Sequence, residues 1–111
     1  MANTKIFSEQ IVNAVWNKAK IIPGQDPTEW RQDVAGAWIQ RSKYGDRMSL
    51  FGWEIDHIRP VSQYGSDNLD NLRPLQWENN VSKCDDYPTW TSVVSSDGNR
   101  YLKYTQRWQI C

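Results

Sequence analysis

Residues 53–83 read WEIDHIRPVSQYGSDNLDNLRPLQWENNVSK, and they set the architecture expected for this chain. An apolar strand leads to Asp56 and His57, and Pro60 stops it because proline cannot donate to a strand ladder. A polar loop follows, then a short return strand over residues 71–75 and a helix from Gln76 to about residue 84. The order of strand, long loop, strand and helix predicts an α+β fold.

The same stretch contains His57, the only histidine in the chain. Asn80 projects from the first turns of the helix, and a hairpin packed on that helix brings it beside Asp56. Carboxylate and amide oxygens are hard ligands that suit Mg²⁺ or Mn²⁺, and Mg²⁺ commonly keeps few protein ligands beside water and phosphate. An imidazole nearby can take a proton from water. These residues predict metal-assisted hydrolysis of a phosphodiester.

Strand geometry restricts how Asp56 and His57 can cooperate. Consecutive strand residues point to opposite faces, so both enter one site only where the strand bulges or ends. Each residue also has a structural alternative: a lone histidine is often a structural residue, and Asn71 and Asn80 are typical of turns and helix caps. Glu54 shares the strand parity of Asp56 and is either an outer-sphere carboxylate or a solvated residue.

Four short elements follow one another in this stretch. They are Asp56-His57-Ile58-Arg59-Pro60, the loop at Tyr64-Gly65, Asn71-Leu72-Arg73-Pro74-Leu75, and Asn80-Val81-Ser82-Lys83. The gaps are 14 residues from His57 to Asn71 and 9 from Asn71 to Asn80. In order and spacing, residues 53–84 resemble the HNH endonuclease family, also called the ββα-metal nucleases. The resemblance implies a ββα-metal (His-Me finger) core and an H-N-N version of the motif.

The resemblance implies a role for each matching residue. His57 is expected to activate water as the general base, and Asn71 to hold the loop and help to orient the histidine. Asp56 and Asn80 are expected to hold one divalent cation, Mg²⁺ or Mn²⁺, which stabilises charge on the phosphate and the leaving 3′ oxygen and gives a 5′-phosphate product. Lys83 resembles the basic residue that meets a phosphate next to the cut.

Other basic residues are candidate nucleic-acid contacts. Arg59 and Arg73 either contact phosphate or form salt bridges to Asp67 or Asp70. The remaining candidates count only as a group: Lys5, Lys18, Lys20, Arg41, Lys43, Arg47, Arg100, Lys103 and Arg107.

No structural zinc is expected in this chain. HNH proteins often carry two C-x-x-C pairs around the motif, but here Gln76 and Asn79 stand where the second pair would be. Cys84 and Cys111 are the only cysteines, too few for a disulfide framework or a four-thiolate zinc site. We therefore expect a reducing, cytoplasmic compartment, with rigidity supplied by a tryptophan-rich core.

The segment before the motif predicts an N-terminal helix, a second short helix and a hairpin. Ser8 is expected to cap a helix over residues 9–19 that carries one apolar stripe. Asp26 is a second cap signal, for a brief helix that ends near Asp33. Residues 36–41 and 50–55 are interpreted as two strands of a hairpin.

The segment after the motif predicts an additional C-terminal β-hairpin. Residues 90–95 and 100–106 are β-prone, and Asp97-Gly98 between them suits a tight turn. Trp90, Val94, Leu102 and Trp108 are expected to pack the hairpin on the core. One or two of the seven tryptophans are expected to be available for stacking on a base or ribose.

Length and composition favour one domain over residues 1–111 and predict no membrane segment. The chain has 13 basic and 13 acidic residues, so no overall charge favours a nucleic-acid partner. No apolar run is long enough to span a membrane, and no export signal is recognisable at the start. Residues 54–86 carry seven acidic against three basic residues. This acidic middle suits a bound cation, with chance clustering as the alternative.

The sequence therefore predicts a divalent-metal-dependent endonuclease that hydrolyses DNA phosphodiester bonds and nicks one strand at a time. Two alternatives stay open: a non-catalytic nucleic-acid-binding module on the same scaffold, and a metal-dependent RNase. The expected partners are DNA, or RNA in the second alternative, and a protein that delivers the nucleic acid. The expected oligomeric state is a monomer or a homodimer.

Overall fold

The computed structural model describes residues 6–109 of the chain. They form an α+β fold of two α-helices and three small antiparallel sheets, whose strand orders are β1-β2-β3, β4-β5 and β6-β7. The elements are α1 (Glu9–Trp16), β1 (Lys20–Ile21), β2 (Trp30–Gln32), β3 (Trp38–Gln40), β4 (Trp53–His57), β5 (Leu72–Gln76), α2 (Trp77–Lys83), β6 (Thr89–Asp97) and β7 (Arg100–Gln109). Within residues 6–109, no helix is long and apolar enough to cross a membrane.

The N-terminal helix begins where the sequence predicts and ends earlier. Ser8 caps α1, because its Oγ accepts a hydrogen bond from the Ile11 N–H at 3.2 Å. The helix ends at Trp16, three residues before the predicted end, because the chain turns there and enters β1. The apolar side of α1 packs on β4 and β5 in one core cluster: Val12, Val15, Trp16, Ala19, Ile39, Trp53, Ile55 and Leu72.

The predicted second helix near Asp26 is wrong. The Asp26 carbonyl accepts hydrogen bonds from Glu29 N (3.0 Å) and Trp30 N (2.9 Å), so the cap signal produces one turn only. Residues 30–32 then become the middle strand of the first sheet, paired on both sides with β1 and β3. Pairing with two neighbouring strands overrides the local helix-start signal.

The predicted hairpin between residues 36–41 and 50–55 is also wrong. The first of these segments contributes β3, which pairs with β2, and the second leads into β4, which pairs with β5 over five residue pairs. Between the two segments the structure has a single backbone hydrogen bond, from Gln40 N to Phe51 O at 3.1 Å. β3 therefore pairs with the strand before it, and β4 pairs with a more distant segment of the chain.

The C-terminal strands β6 and β7 pair with each other, and Gly98 at their turn has a φ of 58°, as an Asp-Gly turn requires. Trp90 and Val94 are buried, as predicted, and the Trp108 ring stacks on Trp90 with centroids 6.0 Å apart. Leu102, however, is 41% exposed, so its predicted place in the core is wrong. The reason is that β7 pairs only with β6 and lies on the outside of the molecule.

Helix α2 turns a polar face inward. Trp77, Val81 and Cys84 share one face of the helix, and of these Val81 is 49% exposed and Cys84 is exposed. The buried residues of the helix are Asn79 and Lys83. Hydrogen bonds and ion pairs therefore hold α2 in place.

A buried carboxylate joins this face of α2 to the first sheet. Asp33 accepts hydrogen bonds from the backbone N–H groups of Ala35 (3.0 Å), Ala37 (2.9 Å) and Gln76 (2.9 Å). It also accepts one from the Asn79 side chain at 3.0 Å. Burial raises the pKa of Asp33, although all four of these hydrogen bonds lower it.

Candidate active site

The loop between β4 and β5 is held by Asn71 and Gly65. The Asn71 side chain accepts a hydrogen bond from Arg59 N (2.9 Å) and donates to the carbonyl oxygens of Arg59 (3.0 Å) and Ser66 (2.8 Å). A Cβ at Gly65 would lie 1.7 Å from the Arg59 carbonyl oxygen, so only glycine fits this approach. These contacts fix the backbone that follows His57.

Asp56 lies in a buried cluster of charges between β4, β5 and α2. Arg73, its cross-strand neighbour, donates from Nε to Asp56 Oδ2 at 3.0 Å, and Lys83 Nζ lies 3.2 Å from Asp56 Oδ1. Burial raises the pKa of Asp56, and the two neighbouring cations oppose that shift. The Arg73 guanidinium lies 4.9 Å from the centre of the Trp90 ring. The carboxylate is therefore held by two cations at once.

Lys83 does not lie where the resemblance implies. Its side chain is fully buried, and Nζ donates a hydrogen bond to the His57 carbonyl oxygen at 3.0 Å in addition to its contact with Asp56. Burial lowers the pKa of Lys83, and Asp56 opposes that shift. The structure thus places this amine in an internal ion pair, away from any phosphate at the surface.

The two candidate arginines also differ from the salt bridges considered from the sequence. Arg73 pairs with Asp56, and Arg59 donates from Nε to the Gln63 carbonyl oxygen at 2.7 Å, whereas Asp67 and Asp70 were the expected partners. Arg59 is exposed and stays at the surface beside the loop. It therefore remains available to a phosphate, while most of Arg73 is covered.

Glu54 belongs to the interface between β4 and α2. The Asn80 side chain donates from Nδ2 to Glu54 Oε1 at 2.9 Å, and Arg47 forms two hydrogen bonds to the same carboxylate at 2.7 and 2.9 Å. Of the two interpretations left open for Glu54, solvated strand residue or partner of the site, the contact with Asn80 supports the second. Glu54 and Asp56 are two residues apart in β4 and so lie on the same face of the strand, which is how the sequence indicated this role.

His57 lies on the other face of β4. The five residue pairs of β4 and β5 continue regularly to His57, where β4 ends, so of the two expected features, a bulge or a strand end, the strand end is present. Regular alternation then places Asp56 toward α2 and the His57 ring toward α1, where the Phe7 ring lies 6.1 Å away. The structure brings Asp56 and Asn80 to one interface and separates the imidazole from both by the strand itself.

The imidazole has an acidic neighbour in the loop. His57 Nε2 lies 2.7 Å from Asp67 Oδ1, with 5% of the histidine side chain and 45% of the aspartate side chain exposed. Sequence reasoning considered Asp67 only as a partner for arginine, because nothing in the linear spacing places it against the ring. A carboxylate on one ring nitrogen fixes the orientation of an imidazole.

The donor atoms between β4 and α2 suit a hard cation. Oxygen atoms of Glu54, Asp56 and Asn80 line this interface, and such ligands suit Mg²⁺ or Mn²⁺. Lys83 and Arg73 already balance the charge of Asp56, so a cation there competes with them. Within residues 6–109, no three His, Cys, Asp or Glu side chains cluster as a ready metal cage. By ligand type, the residues therefore fit a divalent cation, without forming a preassembled cage for it.

Several of the remaining basic candidates have partners within the fold. Lys18 donates to the carbonyl oxygens of Leu69 and Leu72, Arg41 pairs with Glu9, and Arg100 lies 3.7 Å from Asp97. Lys20 and Lys103 are exposed. Lys5 lies outside the described residues.

An aromatic cleft lies away from this site, between the first sheet and the turn of β6 and β7. It has a volume of about 540 Å³. Its lining is aromatic and amide in character and consists of Gln25, Trp30, Trp38, Phe51, Gly98 and Asn99. Trp30 and Trp38 are thus two tryptophans that line an open cleft.

Comparison with known proteins identifies one family. The family model described as HNH endonuclease matches residues 46–85, a little over a third of the chain. No curated protein and no solved structure matches the chain. The matched residues include β4, the loop, β5 and α2, so the resemblance to HNH endonucleases is confirmed for the part of the chain that contains Asp56, His57, Asn71 and Asn80.

Proposed function

We propose that this protein is a divalent-cation-dependent HNH endonuclease that hydrolyses phosphodiester bonds of DNA and nicks one strand at a time. The proposal is supported by two findings that concern the same residues. The HNH match covers residues 46–85, and within them Asp56 and His57 stand at the end of β4 while Asn80 stands on the helix packed against it. We take β4, β5 and α2 as the ββα core of one domain that spans the chain.

In the proposed reaction, the residues at and after the end of β4 have different roles. His57 accepts a proton from a water molecule, whose oxygen attacks phosphorus; the bond from phosphorus to the 3′ oxygen breaks, and the electron pair leaves with that oxygen. Asn71 holds the loop that follows His57, through its contacts with Arg59 and Ser66. The exposed Arg59 contacts the phosphate backbone beside the cut.

Asp56 and Asn80 would hold the divalent cation, and Glu54 orients the Asn80 amide. Such an ion, when bound, supplies positive charge that stabilises the phosphate and the leaving oxygen. Arg73 Nη2 is buried and has no hydrogen-bond partner within residues 6–109, and the Arg73 guanidinium lies 4.9 Å from the centre of the Trp90 ring.

The two faces of β4 determine where the substrate must lie. Asp56 and Asn80 are on the side of α2, and His57 is on the side of α1. β4 ends at His57, so a phosphodiester that contacts both sets of residues would have to lie at that strand end. We therefore place the scissile phosphate at the end of β4.

The cysteine content and the net charge of the chain suggest where it acts and how it meets DNA. A chain with only two cysteines has no disulfide framework, which favours a reducing, cytoplasmic compartment. Zero net charge favours modest, salt-sensitive affinity for DNA, so we propose that another protein helps to deliver the substrate.

One observation favours a second candidate function, a nucleic-acid-binding module without catalysis. The His57 side chain is nearly covered, and both oxygens of Asp56 already contact protein cations. A scaffold that keeps the HNH motif for structure alone would have these properties.

The deciding experiment is cleavage of supercoiled plasmid with Mg²⁺, Mn²⁺ or EDTA, comparing wild type with His57→Ala. We expect cleavage that needs the metal and is lost in His57→Ala, with an unfolding curve showing that the variant stays folded. A matched control is Asn17→Ala, at an exposed residue that follows α1 and is not among the candidate nucleic-acid contacts, which should cleave like wild type.

Three outcomes separate the candidates. Cleavage that survives EDTA or His57→Ala would contradict the mechanism. Binding of labelled DNA without any cutting would favour the non-catalytic module. Faster cleavage of RNA than of DNA in direct competition would favour the metal-dependent RNase.

A further inference from the structure

We propose that the aromatic cleft binds an unpaired base of a nucleic-acid strand, and this inference rests on the proposed function for the class of its ligand. The half-buried rings of Trp30, Trp38 and Phe51 line the cleft together with the amide side chains of Gln25 and Asn99. Its volume of about 540 Å³ lies within the roughly 300–1,000 Å³ of small-ligand sites. Flat rings and amides without any charged lining residue suit a neutral, planar ligand such as a base.

The register of the first sheet places both tryptophans on its outer face. Ile39 is fully buried in the core, so its neighbour Trp38 points to the opposite side of β3. Trp30 pairs with Gln40, two residues after Trp38, and therefore shares this outer face. The two indole rings lie 5.7 Å apart, and the Phe51 ring packs edge-on against Trp30 at 5.1 Å. The three rings hold one another in place as one aromatic wall.

The turn between β6 and β7 forms the other side of the cleft and is attached to the same sheet. Ser96 Oγ accepts a hydrogen bond from Trp38 N at 2.8 Å, and Ser95 Oγ donates to the Ala35 carbonyl oxygen at 2.9 Å. These bonds keep Asn99, in the turn, at the cleft. The cleft is therefore formed before any ligand binds, which reduces the entropy lost on binding.

The polar groups of the cleft have hydrogen-bonding capacity to spare. Within residues 6–109, neither Trp30 nor Trp38 donates its indole N–H to another group, and the side-chain amides of Gln25 and Asn99 make no hydrogen bond. Four other tryptophans do donate theirs inside the fold: Trp16, Trp53, Trp77 and Trp108. Because an amide both donates and accepts, it matches the hydrogen-bonding edge of an unpaired base.

A basic side chain lies on the same outer face of the sheet. Lys20 pairs with Gln32, and Gln32 pairs with Trp38, so the three residues form one row across the strands. At a strand spacing of about 4.8 Å, Lys20 lies roughly 10 Å from Trp38 along this row. Lys20 is exposed. Its amine is therefore available to a phosphate that flanks the stacked base, as in other single-strand sites that combine cations with aromatic rings.

The test compares two labelled single-stranded DNA oligonucleotides of equal length, one with normal bases and one with abasic sites throughout. Both carry the same phosphates, so the difference between their Kd values, measured by fluorescence anisotropy, reports the bases alone. EDTA is present so that no metal-dependent cleavage occurs. We expect wild type to bind the normal strand at least about fivefold more tightly, the lower end of what one stacked base contributes.

The variants locate this difference in the cleft. Trp38→Leu should remove most of it, and Trp38→Phe, which keeps an aromatic face, should retain part of it. The double change Gln25→Ala and Asn99→Ala alters two exposed residues, so it keeps the test possible if Trp38→Leu does not fold, and it should also reduce the difference. The matched control is Tyr104→Leu, which removes a 52% exposed ring from β7 outside the cleft and should bind both strands like wild type.

The outcomes for binding and for cleavage are separate. Equal or undetectable binding of the two strands by wild type would overturn the inference, and so would an unchanged difference in Trp38→Leu. Competition by the mononucleotide dAMP as strong as that by the normal strand would overturn it too, because the cleft would then be a free-nucleotide site. A chain that prefers the normal strand but leaves plasmid uncut with Mg²⁺ and Mn²⁺ would contradict the proposed nuclease and support the cleft.

Discussion

The side chain of Lys83 is fully buried, and its amine contacts Asp56 and the His57 carbonyl oxygen. Removing one partner of a buried ion pair leaves the other charge uncompensated, which commonly costs about 3–5 kcal/mol. We therefore predict that Lys83→Met lowers the free energy of unfolding by roughly this amount, measured by urea denaturation.

The control for Lys83 is Lys103→Met, which removes an exposed lysine and should change stability by no more than about 0.5 kcal/mol. The opposite result for Lys83→Met would contradict this prediction. If Lys83→Met kept full stability but weakened DNA binding and reduced its dependence on salt, Lys83 would contact phosphate as the family resemblance implies.

Tyr101 gives a prediction for alkaline pH. Burial, together with the hydrogen bond from its hydroxyl to Glu78 Oε1 at 2.8 Å, raises its pKa to about 12. Because the folded-state pKa lies above the unfolded value of about 10, the stabilisation is complete below pH 10 and is lost as the pH rises toward 12. The stability difference between wild type and Tyr101→Phe should therefore shrink over this range in urea titrations. A difference that stays constant across it would contradict this assignment.

At this scale the sequence identifies residues by spacing and misses those that depend on the path of a loop. Asp56, His57, Asn71 and Asn80 could be selected because their gaps match a family pattern. Asp67 could not, because its contact with His57 depends on the turn closed by Ser66 and Asn71. The inward position of Lys83 was equally hidden, since a lysine at a helix end is usually solvated.

Helix α2 is attached to β6 and to Asp33 through its polar face. Asn79 uses its whole side chain: Oδ1 accepts from Val93 N (2.8 Å) and Val94 N (2.9 Å), and Nδ2 donates to Asp33 and to the Val94 carbonyl oxygen. The pairing of β6 with β7 shifts register at this point. One amide thus satisfies the backbone groups that the irregular strand leaves unpaired.

We predict that Asn79→Ala lowers the free energy of unfolding by about 3 kcal/mol or more, because several buried polar groups lose their partners together. Asn17→Ala, at the exposed end of α1, is the matched control and should be nearly neutral. Thermal and urea unfolding measure both variants. Equal stability of the two would mean that water replaces the Asn79 contacts.

For helices and strands, the sequence predicted the structure correctly where the contacts are made between neighbouring residues. The cap at Ser8 and the Asp97-Gly98 turn depend on a few adjacent residues, and both are present. The strand over residues 30–32 was missed because its two partners, β1 and β3, decide its conformation. The inward face of α2 could not be read from apolar spacing, since the buried residues of the helix are Asn79 and Lys83.

The whole molecule offers one candidate site for each chain, which sets the expected cleavage pattern. A single site cuts one strand per encounter, so supercoiled plasmid should become nicked circles first, and linear DNA should appear only after a lag. Gel densitometry over time measures both products. Linear product that rises from the start in proportion to the nicked form would show a dimer that cuts both strands together.

The hydrogen bonds of the Asp33 carboxylate predict how the molecule unfolds. It receives backbone hydrogen bonds from the turn between β2 and β3 of the first sheet and from the end of β5 in the second, and through Asn79 it is tied to the third. Sheets of two or three strands rarely persist alone, so losing this shared acceptor would release all three together. The amide protons of Ala35, Ala37 and Gln76 should therefore exchange with deuterium at one common, slow rate set by global opening.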